Sequence, residues 1–181
     1  MNLRPIQELD ARLSDRLRVA EKPGPLRTAS VFLAHSGDSW FWGLGLILLW
    51  RLGDAHWKRW TLVMFAGIAV LVVIVMSIKF IVRRRRPEGE WGGIYRNTDP
   101  HSFPSGHAAR AFMIAVLAIG LGPGWAGLLL AIWAPLVALA RVSMGVHYVS
   151  DIVAGALLGI VVGLIGLGFY EPLFEWLGFL L

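Results

Sequence analysis

Three clusters of charged and polar residues sit at the edges of strongly apolar runs, where such groups are costly and mark a functional hypothesis. The first is Lys79, Arg83, Arg84, Arg85, Arg86 and Pro87. Spaced by four and three residues, Lys79, Arg83 and Arg86 share one helix face and could hold a dianion, while Arg84 and Arg85 point elsewhere. Pro87 disfavours helical geometry at Arg86, so the helix is expected to end there. A positive-inside anchor with snorkelling side chains also accounts for this run.

The second cluster is Pro104, Ser105, Gly106 and His107. Ser105 suits a helix N-cap, and the free N–H groups of a first turn, with Gly106 allowing close approach, make a cradle for phosphate. His107 would then stand beside the anion, or else serve as an interfacial histidine bonded to a carbonyl. Asp99 and His101, in the polar loop just before, are expected to be solvated.

The third cluster is Arg141, His147 and Asp151. On a helix, four-residue spacing lets the Asp151 carboxylate bond one imidazole nitrogen of His147 and leave the other as an unprotonated nucleophile. Arg141 would fall on a different face of a continuous helix, so a loop containing Gly145 must bring it to His147. A lone His–Asp pair is commonly structural; an arginine beside it, on the same side as two other phosphate-suited clusters, favours catalysis. No histidine has the carboxylate-rich neighbours of a metal site, and no glycine-rich nucleotide motif is present. Neither metal nor cofactor is therefore expected.

The elements that position these clusters follow from composition. Of 181 residues 56% are hydrophobic, with a mean hydropathy of +0.63, so the main solvent is lipid. Cysteine is absent, which rules out disulfides and thiolate metal sites. A net charge of +5 sits at the ends of apolar runs, where anionic lipid or phosphate is a nearer partner than nucleic acid. Five membrane spans are expected, at about 39 to 52, 61 to 79, 107 to 121, 124 to 141 and 152 to 170, by uncharged length and by the break at Gly120, Gly122, Pro123 and Gly124. The first span could extend backwards through Val31 to Ala34. Glycines recur along one face of the last span, as a helix-packing surface would require. With five spans, all three clusters emerge on one side of the membrane.

Ahead of the spans, Leu3, Ile6, Leu9, Leu13 and Leu17 recur at helical spacing among charged residues, predicting an interfacial amphipathic helix or, alternatively, a soluble helix packed on the loops. The first thirty residues lack a continuous apolar stretch and are not expected to be a cleaved secretory signal. The whole chain is expected to form one domain, with residues 1–38 as an interfacial N-terminal segment and 39–181 as the transmembrane core.

In order and spacing the three clusters resemble the signature of the type 2 phosphatidic acid phosphatase family: K-x6-R-P at Lys79 to Pro87, P-S-G-H at Pro104 to His107, and R-x5-H-x3-D at Arg141, His147 and Asp151. The resemblance implies an all-α, polytopic membrane bundle that removes phosphate from a lipid without a metal. By it, Lys79, Arg86, Arg141, Ser105 and the Gly106 amide hold the phosphoryl oxygens, and His147 attacks phosphorus. Asp151 orients His147, and His107 protonates the leaving group and later helps activate water. Many family members carry Ser before the third-motif arginine; here Ala140 stands there, so a hydrogen bond is lost or replaced. A phosphotransferase with the same intermediate, and a non-catalytic anionic-lipid binder or transporter, are the alternatives. The arginine run taken as a topology signal puts the site in the cytoplasm, whereas the resemblance favours the extracytoplasmic face of a bacterial or archaeal plasma membrane. Head-group specificity is expected to lie in residues 88 to 103.

Overall fold

An uncharged stretch rich in valine, isoleucine and methionine has no means of satisfying its backbone in lipid except as a helix. In the computed structural model that stretch lies within a helix of 28 residues, roughly 42 Å long at about 1.5 Å per residue. The structure describes residues 4–20, 22–89, 91 and 99–177. Among them the chain forms eight helices: α1 (Arg4–Leu17), α2 (Pro25–Ser36), α3 (Ser39–Leu52), α4 (Ala55–Val82), α5 (Gly106–Leu121), α6 (Gly124–Ser143), α7 (Val149–Gly168) and α8 (Tyr170–Leu177).

The α3–α7 helices fall where the five apolar runs are expected. Three of them, α4, α6 and α7, are long and apolar enough to cross a membrane, while α3 and α5 are apolar but shorter. The outward faces of α4, α6 and α7 carry exposed Val73, Ile81, Leu128, Leu129, Leu157 and Leu164, an apolar surface suited to lipid rather than water. This is a polytopic, all-helical membrane protein. The core lies between α4, α5 and α7, where Met64, Met113, Ile114 and Leu117 are fully or almost fully buried.

The glycine face of α7 is the contact that sets the bundle. A Cβ on Gly155 would stand 2.5 Å from the Ser105 carbonyl, and one on Gly159 would collide with the Ala109 carbonyl. Side-chain-free positions thus let α7 lie backbone against backbone on α5. That approach brings Ser105 N to the Asp151 carbonyl at 3.0 Å, joining the second and third clusters.

The first span does not extend backwards. The chain breaks at Gly37 and Asp38, so residues 25–36 form α2, a separate helix opening on Pro25 and packed on α6. The amphipathic α1 turns its apolar side outward: Ile6, Leu9, Leu13 and Leu17 are exposed, while Asp10 and Ser14 are buried; Leu3 lies outside the described residues. The reason is visible at the start of α7. Its first-turn N–H groups need acceptors, and α1 supplies them: Val149 N donates to Ser14 Oγ and Ser150 N to Asp10 Oδ1, both at 2.9 Å. The helix is therefore packed on α6 and α7, with its apolar stripe left exposed.

Candidate active site

Helix α4 ends at Val82, one turn earlier than Pro87 suggests, because Arg83 adopts a left-handed conformation (φ 51°) and caps it. Beyond it the chain is extended: Ser102 N donates to Arg84 O at 2.9 Å, and Arg85 pairs with His101. This geometry changes which arginines point inward. Arg83 folds back onto the Phe80 carbonyl and is exposed, so it does not share a face with Lys79 and Arg86. Arg84, expected to point away, turns in and donates through Nη1 to Asp151 Oδ1 at 2.7 Å and to Ser150 Oγ at 2.6 Å.

Of the eight residues singled out by sequence, Lys79, Gly106, His107 and His147 line one cavity of about 650 Å³. Arg86 is buried beside His147, donating through Nη1 to the Val146 carbonyl at 2.9 Å and to His147 Nε2 at 3.2 Å. Ser105 caps α5, its Oγ accepting from Ala108 N. The start of α5 faces the cavity at Gly106, whereas that of α7 is occupied by α1; the α5 end is thus the one available to an anion.

Arg141 is fully buried in the last turn of α6. Gly145, at φ 67°, turns the chain back, and Val146 N donates to Arg141 O at 3.2 Å. The loop expected at Gly145 is the device that brings His147 to Arg141, whose charge acts on both His147 and His107.

A guanidinium only donates, so Nε2 of His147 accepts from Arg86 and is unprotonated. The proton falls on Nδ1, facing Asp151 Oδ2 at 3.5 Å without hydrogen-bond geometry; such bonds commonly tighten on substrate binding. Complete burial, then the charges of Arg86, Arg141 and Lys79, push the His147 pKa well below the ordinary histidine value, against the raising effect of Asp99. The pair is not on one continuous helix. His147 precedes α7, and Asp151 reaches back from the first turn to accept from Tyr148 N at 2.9 Å.

Asp99, expected to be solvated, is only partly exposed and is paired with cations. Its carboxylate accepts from Lys79 Nζ and, at 2.8 Å, from Arg86 Nη2, while its carbonyl accepts from Arg86 Nε at 2.7 Å. Burial alone would raise its pKa, but the bond and charge of Lys79, with Arg86 and His147, hold it below the ordinary carboxylate value. Thus a carboxylate stands on two cations suited to phosphate.

Comparison with known proteins decides the family. The model of the PAP2 superfamily matches residues 60–174, which include all three clusters and more than half of the chain. The chain belongs to the PAP2 superfamily. It is 35% identical over 162 residues to decaprenylphosphoryl-5-phosphoribose phosphatase of Mycobacterium tuberculosis, covering 89% of each chain. Among solved structures it resembles a transmembrane PAP2-type phosphatidylglycerolphosphate phosphatase of Bacillus subtilis, with a TM-score of 0.76, 22% identity, and coverage of 93% of this chain and 87% of that one. Aquifex aeolicus LpxE superposes with a TM-score of 0.66 at 27% identity, over 85% of this chain and 93% of its own. This chain is accordingly a membrane-embedded PAP2 phosphatase. At the position where many PAP2 members carry serine, Ala140 is buried in an apolar group with Ala20, Ala34, Met144 and Val146.

Three contributors lay beyond sequence reasoning. Asp38 and Arg110 reach the cavity from the α2–α3 junction and from α5, and Arg84 fastens Asp151. Arg110 alone had a signal, a charge three residues after His107 inside an otherwise uncharged helix.

Proposed function

We propose that this PAP2 protein hydrolyses a lipid phosphate through a phosphohistidine on His147, with no metal required. The observation that carries the reading is the contact of His147 Nε2 with Arg86 at 3.2 Å: it leaves an unprotonated nitrogen among cations suited to phosphoryl oxygens. Lys79, Arg86 and Arg141, with Ser105 and the Gly106 amide, hold those oxygens and stabilise the charge that builds on them. As Arg86 turns from Nε2 to a phosphoryl oxygen, Nε2 forms a bond to phosphorus while the bond from phosphorus to the lipid oxygen breaks, and His107 gives that oxygen a proton. Water then attacks phosphorus, passing its proton to His107; the P–N bond breaks, phosphate leaves, and Nε2 is restored. Asp151 orients His147 and balances its positive charge while the intermediate lasts.

The substrate enters with its tail along α4. Ile68, Leu71, Val72, Val75 and Met76 form one wall of the cavity that ends at Lys79, so an apolar chain and a phosphate can be bound together. An isoprenoid phosphate is favoured by the relative at 35% identity, named for a decaprenylphosphoryl substrate; an isoprenoid diphosphate, phosphatidate and phosphatidylglycerophosphate are the other candidates. The chain acts as one domain with five crossings, its site on the extracytoplasmic face of a bacterial or archaeal plasma membrane.

The test is phosphate release from a panel of lipid phosphates in detergent with EDTA, comparing wild type with His147→Ala. Release that survives chelation and disappears in the variant supports the mechanism, and acid-labile label trapped on the wild-type protein identifies the intermediate. Persistent release in the variant refutes the nucleophile assignment. Loss of the lipid phosphate only with an added alcohol, the phosphoryl group being recovered on that alcohol, indicates a phosphotransferase, and binding without turnover indicates a lipid binder.

A further inference from the structure

The turn between α2 and α3 lies directly on the imidazole of His107. Asp38 Oδ1 is 2.8 Å from His107 Nε2, and Oδ2 of the same carboxylate is 2.9 Å from Nδ1 of His35. Burial alone would raise the Asp38 pKa, but the hydrogen bonds from His107 and His35 outweigh it and hold the group well below the usual carboxylate range. An ionised carboxylate only accepts, so Nε2 of His107 carries a proton and Nδ1 is the nitrogen left for a reacting oxygen.

This turn is built into position rather than resting there. Arg110, one helical turn beyond His107, donates to the Gly37 carbonyl through Nε at 3.0 Å and through Nη2, and its Nη1 donates to Ser39 Oγ at 2.7 Å. Trp133 Nε1 holds Ser36 Oγ at 2.8 Å. A Cβ on Gly37 would stand 2.9 Å from Val137 Cγ1 and 3.3 Å from His107 Cδ2, so a side chain there would lift the turn off the ring.

We propose that Asp38 is a positioning residue for the acid–base step: it holds His107 in one tautomer and steadies the imidazolium, with His35 as the solvent-facing partner of the same carboxylate. The inference rests on the acid–base role of His107 proposed above. Arg110 and Arg141 both repel positive charge on His107, and Asp38 is the carboxylate bonded to that ring. The proton that leaves Nδ1 goes to the departing lipid oxygen, and the proton of the attacking water returns to Nδ1; throughout, Nε2–H stays on Asp38. A carboxylate that fixes the far nitrogen keeps the near one aimed through both steps.

The test compares Asp38→Asn, Asp38→Glu and His107→Asn with wild type, as full chains in detergent, on two phosphate monoesters with equal alkyl chains. One releases an aliphatic alcohol, the other a nitrophenol that departs without needing a proton. In a single turnover, Asp38→Asn and His107→Asn should each slow release of the leaving group roughly 100-fold on the aliphatic ester and under about tenfold on the nitrophenyl ester, with the half-saturating substrate concentration little changed. Asp38→Glu should recover part of the loss. Equal losses of Asp38→Asn on both esters, or none, would overturn the inference. If His107→Asn shows the split and Asp38→Asn does not, only the role of Asp38 fails; if His107→Asn itself shows no split, the acid assignment fails with it.

Discussion

Arg84 donates through Nη1 to Asp151 Oδ1 and through Nη2 to Asp10 Oδ2, each at 2.7 Å. The carboxylate behind His147 is thereby fastened to α1, an amphipathic helix whose apolar residues are exposed. Asp10 also accepts from Ser150 Oγ at 2.5 Å, so a single side chain ties the N-terminal helix to the third motif.

Cutting that tie should cost both stability and rate. Asp10→Ala leaves Ser150 N and Arg84 short of an acceptor in a largely buried place, an effect of about 1–3 kcal/mol. We expect a lower unfolding midpoint in detergent and a fall in kcat. Arg84→Met should do more, since it leaves the fully buried Asp151 without its cation. Because the two share partners, the double variant should lose less than the sum of the singles in a mutant cycle; strict additivity would show that the network is not a unit.

Asp99 occupies two of the phosphate-suited cations, so substrate must displace it. Asp99→Asn removes the competing charge, and inorganic phosphate should inhibit at roughly tenfold lower concentration, equal to about 1.4 kcal/mol. Inhibition constants of wild type and variant, measured at one ionic strength, check this. Weaker inhibition in the variant would mean that Asp99 orders Lys79 and Arg86 instead of competing for them.

The pKa of His147 is depressed, which sets the direction of two pH profiles. Its neutral, nucleophilic form persists below the ordinary histidine value near 6.5, so the acid limb of kcat/KM due to this group should lie below that pH. The unfolded chain binds the His147 proton first as pH falls. Its contribution to stability is therefore full above the unfolded value and is lost progressively as pH drops from there toward the depressed folded value. Unfolding midpoints of wild type and His147→Gln should accordingly converge on acidification.

Absence of cysteine makes orientation directly measurable. Glu88→Cys puts a thiol at an exposed position near the site, and Asp54→Cys puts one at the α3–α4 turn. A membrane-impermeant maleimide applied to intact cells should label the first and spare the second if the site faces outward. The opposite pattern would put the site in the cytoplasm and restore the arginine run as a topology signal.

How far the sequence reached depends on the range of the forces involved. Apolar length sets a helix in lipid whatever its neighbours do, so the five runs were legible within a few residues, as were the Ser105 cap and the break at Gly122. The three motifs named Lys79, Gly106, His107 and His147, which line the cavity, because each sits at a helix end or in a short turn, where local geometry governs. Gly145 could be assigned its turn for the same reason.

Contacts between distant segments carried no such signal. Periodicity put Arg83 with Lys79 and Arg86, but a left-handed residue ended α4 early and swung Arg84 inward to Asp151, 67 positions away. Asp99 looks like any loop carboxylate until the fold brings Lys79 and Arg86 to it. Asp38 lies 69 positions from His107 and belongs to no motif. Composition and spacing pointed to a helical membrane protein with three polar clusters suited to phosphate, and the resemblance those clusters carry supplied the chemistry. Which carboxylate meets which cation or histidine was decided by the backbone approach of α5 and α7 and by the turn that Arg110 grips, because pairing between charges follows distance in space, and only the packed bundle sets that distance.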